Sequence, residues 1–432
     1  MVFLLSVLFS LYGFSKVFPA DKDYPALRSV IEDTRWIDVH AHPVIGHRDF
    51  GNEDPYPTLE PPISRPYWPL EKRRIAVYDS LQAEALRAIY GYRFNDVQAK
   101  DIPDLRRRSI IFWKASPVDA MNRVLDICGI DRVFANTSLP PRDVDRRRVL
   151  WVPFVDELFY PFAGRMLRDV SPEFKRSLDH YSERVNNLSA SLRAPVGDFI
   201  DYLRFVDRIL ADYGRQGAVA LKVASAYIRS LHFDDPSFED AASVYRMGLE
   251  GRLWDKSDYK RLQDFIARHI FLKAGELNLP IHFHTGFGAD AGLQNLDSHP
   301  LNLESVCSDR RFDRTRFLVL HAGYPFWNTI KPLLEKRNVC VEFSAVNWMV
   351  YDFELADILE DWLRYPGLTD KIMFGSDAGA PVFFWIAAEN SRRALYTALA
   401  ALADKGITSE SDAVVFARNI MRSNALRFHG LK

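Results

Sequence analysis

Cysteine is scarce in this sequence, since Cys128, Cys307 and Cys340 stand far apart among 432 residues. Their odd number and wide spacing exclude a disulfide framework and a zinc ribbon, so we expect each to be a small buried hydrophobe. A basic surplus is also absent, because 56 Lys and Arg residues face 57 Asp and Glu residues, for a net charge of −1. Nucleic acid is therefore not expected as a partner, since phosphate binding needs clustered basic side chains.

Long apolar runs are missing except near the start of the chain. Val2–Phe14 is apolar but shorter than the roughly 18 residues that a membrane-spanning helix needs. It has the length of a secretory signal, yet no Lys or Arg precedes it and Phe18–Ala20 is a poor cleavage site. Residues 1–24 are thus interpreted as an apolar extension. It could be a secretory signal or anchor, an N-terminal helix that docks on the domain, or the result of an incorrectly assigned start codon. A cytoplasmic location is slightly favoured over secretion.

Short apolar runs rich in β-branched residues alternate with longer amphipathic stretches, which is the βα alternation of a parallel sheet. Near-continuous hydrophobicity indicates that both faces of the sheet are covered. Most of the runs end in a polar residue close to Gly, Pro, Ser or Thr. Eight such runs predict a (β/α)8 TIM barrel over residues 25–432, with its active site at the strand ends. The runs are Trp36–His42, Arg132–Asn136, Val149–Val155, Ala218–Ala224, Pro280–His284, Phe317–His321, Asn338–Phe343 and Ile372–Asp377.

Two spacings between predicted strands are too long for a simple βα unit of about 30 residues. The first follows strand one and holds the Pro-rich segment Asp54–Leu70 and a helical run, Lys72–Tyr90. The second follows strand three, over Asp156–Gln216, and also has a helical pattern. Both are predicted to be helical insertions. Because both follow the carboxyl ends of strands, we expect them to cover the mouth of the barrel.

Histidines and one aspartate cluster at the predicted strand ends. His40 and His42 form an H-x-H pair on strand one, and residues two apart on a strand face the same side. His282 and His284 repeat that spacing on strand five, while His321 ends strand six and Asp377 ends strand eight. Imidazole and carboxylate groups suit zinc, iron or manganese. The pattern therefore predicts a divalent metal site, with zinc favoured.

This order of ligands resembles the amidohydrolase superfamily, and its amidohydrolase-2 branch most closely. Four segments look like the amidohydrolase-like half of nodulin/glutamine-synthetase fusion proteins: Ile37–Pro43, Pro280–Gly288, Val319–Pro325 and Phe374–Gly379. The tail Asn424–Leu431 resembles the Asn-Ala-…-Gly-Leu ending that is common in the branch. The resemblance implies that His40, His42, His284 and Asp377 bind the metal. It places the strand-five ligand at His284, in a His-Thr-Gly motif, and leaves His282 as a supporting residue, a substrate contact or inner-barrel packing.

The resemblance leaves Lys222 with three readings: a carboxylated lysine that bridges two metals, a contact to a substrate carboxylate, or a lysine that reaches the rim. We favour the unmodified, substrate-facing lysine, because the closer relatives bind one metal. Tyr227 and Arg229 resemble a substrate-binding Ala-Tyr-Arg element, although Ile228 intervenes here. Glu342 alternates with Cys340 and Ser344 on strand seven, and is expected either to support a ligand histidine or to lie at the rim.

These residues predict an enzyme in which Asp377 transfers protons. His321 would orient water, stabilise an oxyanion or bind a second metal. The leading hypothesis is hydrolysis of an amide or other C–N bond in a small polar substrate. Non-oxidative decarboxylation and a non-catalytic binding protein with a vestigial site remain as alternatives. The expected partner is a small molecule, and a homo-oligomer is compatible with the sequence.

Overall fold

The computed structural model describes residues 22–43, 76–114, 116–162, 172–192, 197–252, 255–288, 293–365 and 367–432. Most of the apolar extension 1–24 and the whole Pro-rich segment 54–70 lie outside these residues. Among the described residues no helix combines the length and apolar character needed to cross a bilayer. All three cysteines are buried and free, as predicted.

Within the described residues, eight short parallel strands form the centre of the molecule, as the sequence predicts. Their bounds are β1 Trp36–Ala41, β2 Ile130–Asn136, β3 Val149–Val152, β4 Leu221–Val223, β5 Ile281–Phe283, β6 Phe317–Val319, β7 Val339–Glu342 and β8 Ile372–Met373. Continuous ladders join β1 to β3 and β4 to β8 in chain order. Several strands are shorter than predicted, because the polar residues at their ends have left the ladder.

The two ladders meet at two seams, β3 with β4 and β8 with β1, where isolated hydrogen bonds replace a regular ladder. At the first seam the amide of Lys222 donates to the carbonyl of Pro153 at 2.8 Å. At the second seam the amide of Val39 donates to the carbonyl of Phe374 at 3.0 Å. Together they close the eight strands into a TIM barrel.

Helices connect the strands and pack around the barrel. Their bounds are α1 Pro25–Asp33, α2 Ala76–Tyr90, α3 Ile102–Lys114, α4 Pro117–Ile127, α5 Pro172–Leu192, α6 Phe199–Arg215, α7 Phe238–Leu249, α8 Lys256–Glu276, α9 Glu304–Cys307, α10 Lys331–Leu334, α11 Val346–Met349, α12 Asp352–Leu363, α13 Pro381–Asp404, α14 Glu410–Arg418 and α15 Asn424–His429. In α6 the Asp198 side chain caps the amide of Asp201. Buried residues then recur every three or four positions from Phe199 to Tyr213.

Both predicted insertions contain helices, α2 to α4 after β1 and α5 to α6 after β3. Helix α2 packs against α13 and against α11, which follows β7. Helix α5 packs against the turn Asp156–Phe159, which follows β3. The expected cover over the barrel mouth stays a prediction, because much of the first insertion lies outside the described residues.

The interior of the barrel is filled by apolar side chains from several strands and closed at one end by the last helix. Ala425 and Phe428 of α15 join a buried cluster with Ile37, Phe134 and Leu318. The carboxyl ends of the strands are left to carry polar groups.

Candidate active site and metal centre

A cavity of about 380 Å³ opens at the carboxyl ends of the strands. Its wall combines predicted metal ligands, one lysine and several aromatic rings. The lining residues include His40, His42, Lys222, Tyr227, His284, His321, Trp348 and Asp377. At least one predicted polar residue from each of strands one, four, five, six and eight is therefore brought into one pocket.

Asp377 lies at the centre of the first group of contacts, across the seam between β8 and β1. Its Oδ1 is 3.1 Å from Nε2 of His40 and 3.4 Å from Nε2 of His42. Burial alone would raise its pKa, but His321, His40 and His42 hold the pKa of Asp377 well below its ordinary value. The carboxylate is thus ionised and able to bind a cation or accept a proton.

His321 and His284 form a second group, and their hydrogen bonds fix which ring nitrogens carry protons. Ser344 Oγ donates to Glu342 Oε1 at 2.7 Å, so it accepts the Nδ1 proton of His321 at 2.9 Å. His321 Nε2 is then unprotonated and accepts from His284 Nδ1 at 2.9 Å. This leaves His284 Nε2 unprotonated, and it has no partner among the described residues. The chain thus presents His284 Nε2 as a lone-pair donor.

The residues fit a divalent metal ion. Ligand atoms of His40, His321 and Asp377 lie within 4.8 Å of one another. His284 Nε2 is buried without a protein partner in the described chain. Burial lowers the pKa of His40 and of His284 well below the ordinary value, and it lowers the pKa of His321 to about 4. Neutral imidazoles beside an ionised carboxylate are the donor set expected of a metal site.

Lys222 extends from β4 into the same cavity and is 2% exposed. Its Nζ lies 3.5 Å from His40 Nε2. Burial lowers the pKa of Lys222 to about 8, although the carboxylates of Asp377, Glu342 and Asp156 oppose this effect. The lysine does not reach the rim. The two remaining readings, a substrate contact and a carboxylated bridge, both place its nitrogen in this cavity.

The amidohydrolase family model matches residues 203–431, which is more than half of the chain. The match contains β4 to β8 and therefore six of the cavity residues named above: Lys222, Tyr227, His284, His321, Trp348 and Asp377. The chain belongs to the amidohydrolase family. This confirms the predicted amidohydrolase-2 branch, while the finer resemblance to nodulin fusion proteins stays a prediction. No curated protein matches the sequence of the chain.

Solved structures confirm that this amidohydrolase has the TIM-barrel fold of the superfamily. A uronate isomerase from Thermotoga maritima superposes with a TM-score of 0.68 at 13% identity, covering 94% of this chain and 97% of that one. Glucuronate isomerase from Caulobacter crescentus gives 0.68 at 11% identity, covering 97% and 96%. A proposed metal-dependent hydrolase from Lactobacillus casei gives 0.64 at 15% identity, covering 94% and 97%. The family indicates an enzyme without fixing its reaction.

Tyr227 is brought to the cavity of this amidohydrolase, whereas Arg229 is not among the residues that line it. The ring of Tyr227 lies 4.4 Å from that of His284. The guanidinium of Arg229 bonds Asp264 and also donates to Gln263 Oε1 at 3.2 Å. This buried ion pair ties the loop after β4 to α8.

His282 lies deeper than the cavity and is not part of its wall. Its Nε2 is 2.9 Å from Nε2 of His429 in α15. The Nδ1 of His429 faces the carbonyl of Ala425 at 2.8 Å, so His429 donates there and accepts from His282. This pair links β5 to α15, the helix that closes the barrel.

Three residues that support the site carry no functional assignment in the sequence analysis. Ser344 connects Glu342 to His321, as described above. Phe154, just after β3, stacks with His42 at 6.2 Å between ring centroids. Asp38 lies two residues before His40 and is fully buried. The signal for Asp38 was strand alternation, which places it on the same face as His40 and His42.

Proposed function

We propose that this amidohydrolase is a metal-dependent hydrolase that cleaves an amide or other C–N bond in a small polar substrate bearing a carboxylate. The proposal rests on one observation: the imidazoles and the Asp377 carboxylate meet in a cavity that also holds the buried Lys222. Such a cavity accepts a small molecule, and it combines a site for a metal with a site for an anion.

The metal would be held by His40, His42, His284 and Asp377, with zinc favoured. When bound, a divalent metal supplies an activated water and polarises the carbonyl of the substrate. The hydrogen-bond chain from Glu342 through Ser344 and His321 leaves Nε2 of His284 free to bind this metal. Such supporting contacts orient ligands and raise their basicity.

Asp377 is the residue that would move the proton. Its side chain lines the cavity, and its low pKa keeps it in the ionised form that can accept a proton. It would take a proton from water and return it to the leaving nitrogen. His321 has both ring nitrogens engaged by Ser344 and His284. We therefore assign it to orienting His284, rather than to binding an oxyanion directly.

Lys222 and the aromatic wall would bind the rest of the substrate. The Lys222 ammonium can pair with a substrate carboxylate, a charge-assisted hydrogen bond that is strong in a desolvated pocket. Tyr227 and Trp348 offer apolar faces beside it. A substrate with a carboxylate close to the scissile bond and an apolar or planar body fits this arrangement.

Product analysis of the zinc-loaded protein tests the proposal. N-acyl amino acids and γ-glutamyl amides should release amine, and Asp377→Asn should abolish that release. Aromatic acids and uronic acids belong in the same screen, because decarboxylation could use the same residues and two structural neighbours are named isomerases of uronic acids. Metal-dependent release of carbon dioxide, or isomerisation without amine release, would contradict the hydrolase.

A further inference from the structure

The two seams of the barrel coincide with the functional residues. His40 and Asp377 stand on opposite sides of the seam between β1 and β8. Phe154 and Lys222 stand on opposite sides of the seam between β3 and β4. A metal bound by both His40 and Asp377 would depend on the spacing of two strands that no continuous ladder fixes.

Asp38 links the two strands of the metal-bearing seam. Its Oδ1 accepts from the amide of Ser376 at 2.9 Å and from the amide of His40 at 3.2 Å. Its Oδ2 accepts from Ser376 Oγ at 2.5 Å. The buried Asp38 side chain therefore bonds the backbone of one predicted ligand, His40, and that of Ser376, which directly precedes a second predicted ligand, Asp377.

Asp377 needs such support, because its backbone is in the left-handed region with φ 55°. This conformation is disfavoured for residues other than glycine, although aspartate adopts it more readily than most, and it persists where neighbouring contacts determine it. The amide of Asp377 donates to the carbonyl of His40 at 2.7 Å. Asp38 fixes the residue just before this turn.

We propose that Asp38 is a positioning residue that sets the spacing of His40 and Asp377 across the seam, acting as a hydrogen-bond acceptor. The inference rests on the metal site of the proposed function. Asp38 is absent from the cavity wall and would not touch metal or substrate. Its effect would reach the site through the amides of His40 and Ser376.

The other seam supplies a matched control. Asp156 is fully buried after β3, and its two carboxylate oxygens accept from the amide of Ala224 at 2.9 and 3.0 Å. It bridges β3 and β4 as Asp38 bridges β1 and β8. Its hydrogen bonds reach no predicted metal ligand, so its loss should lower stability without weakening metal binding.

The experiment measures zinc affinity of the full-length protein by competition with a chromophoric chelator, alongside thermal unfolding in chelator. Asp38→Ala should weaken zinc binding about 10- to 100-fold, the usual effect of removing a group that orients a ligand. Asp156→Ala should destabilise the metal-free protein comparably and keep the wild-type zinc affinity. Asp38→Asn should largely preserve affinity, because its carbonyl oxygen can accept from both amides while its amide donates to Ser376 Oγ.

Equal zinc affinity in Asp38→Ala and Asp156→Ala would overturn the positioning role of Asp38 and leave the proposed metal site intact. Wild-type protein that binds no zinc would overturn both the metal site and the positioning role. Equal losses in Asp38→Ala and Asp38→Asn would show that charge, and not hydrogen-bond acceptance, matters. If Asp38→Ala does not fold, Asp38→Ser carries the test, since one short hydroxyl cannot accept from both amides and also bond Ser376 Oγ. Unchanged zinc affinity in that variant would overturn the proposal.

Discussion

Replacing Lys222 by methionine separates substrate binding from metal binding at this site. Methionine is similarly long and unbranched and fits a buried position, but it carries no charge. Burial lowers the pKa of Lys222 to about 8, so the ammonium is still the main form at pH 7. The variant therefore removes a buried ammonium that lies 3.5 Å from His40 Nε2.

The size of the effect follows from the contact that is lost. A hydrogen bond to a charged group contributes about 1.5–3 kcal/mol, which corresponds to a KM increase of roughly 10- to 150-fold. The bare Coulomb attraction of about 4 kcal/mol at 4 Å near a protein surface sets an upper bound. Metal content should stay near the wild-type value, because the unmodified lysine is no ligand.

The assay compares initial rates on a carboxylate substrate and on its uncharged amide analogue, with elemental analysis of both proteins. Lys222→Met should raise KM for the carboxylate and leave the analogue nearly unaffected. Equal effects on both compounds would refute the carboxylate contact. Loss of about half the metal, with activity restored by short carboxylic acids, would show a carboxylated lysine that bridges two metals.

Three further predictions concern the residues around the cavity. Ser344→Ala leaves the Nδ1 proton of His321 without its acceptor, so zinc affinity should fall about tenfold or more. An unchanged zinc affinity in a competition titration would show that the hydrogen-bond chain through Ser344 does not support metal binding. Gly288→Ala places a methyl group 2.6 Å from the Tyr227 ring and should raise KM at constant metal content, whereas an unaltered KM would remove Tyr227 from substrate binding. Burial lowers the pKa of His429 from 6.5 to about 3, so the neutral ring stabilises the fold above pH 6.5 and this contribution declines as the pH falls toward 3. In metal-free protein, this effect should lower the free energy of unfolding by about 2 kcal/mol between pH 7 and pH 5. The free energy measured by urea unfolding should decline less steeply with pH in His429→Gln. Parallel pH curves for the two proteins would disprove this contribution of His429.

Much of the fold could be predicted because its signals are local. Each strand is a short apolar run, and each predicted metal ligand lies near the end of one or within a few residues after it. The predicted ends of the strands were less accurate where predicted site residues leave the strand. The eighth strand was predicted to reach Asp377 but ends at Met373, because Ser376 and Asp377 turn back to bond the carbonyl of His40.

The surroundings of Arg229 and His282 could not be predicted, because their partners are distant in sequence. Arg229 pairs with Asp264, 35 residues away, and His282 pairs with His429, 147 residues away. Strand alternation places a side chain inside the barrel but does not say how deep it lies or what it meets. From the sequence alone, a charged or polar residue beside a motif is therefore assigned to the active site, even where the structure pairs it with a distant residue instead.

The sequence motifs also depend on one another, which no single motif reveals. Gly375 in the segment before Asp377 has no room for a side chain, because a Cβ there would collide with the Glu342 carboxylate. The same carboxylate accepts from the amide of His321 at 2.8 Å. The turn that carries Asp377 is further held by Trp348, whose Nε1 donates to the carbonyl of Ser376 at 2.9 Å. A change at Gly375 would thus displace Glu342 and disturb His321 as well as Asp377, so this glycine serves two predicted site residues that lie on different strands.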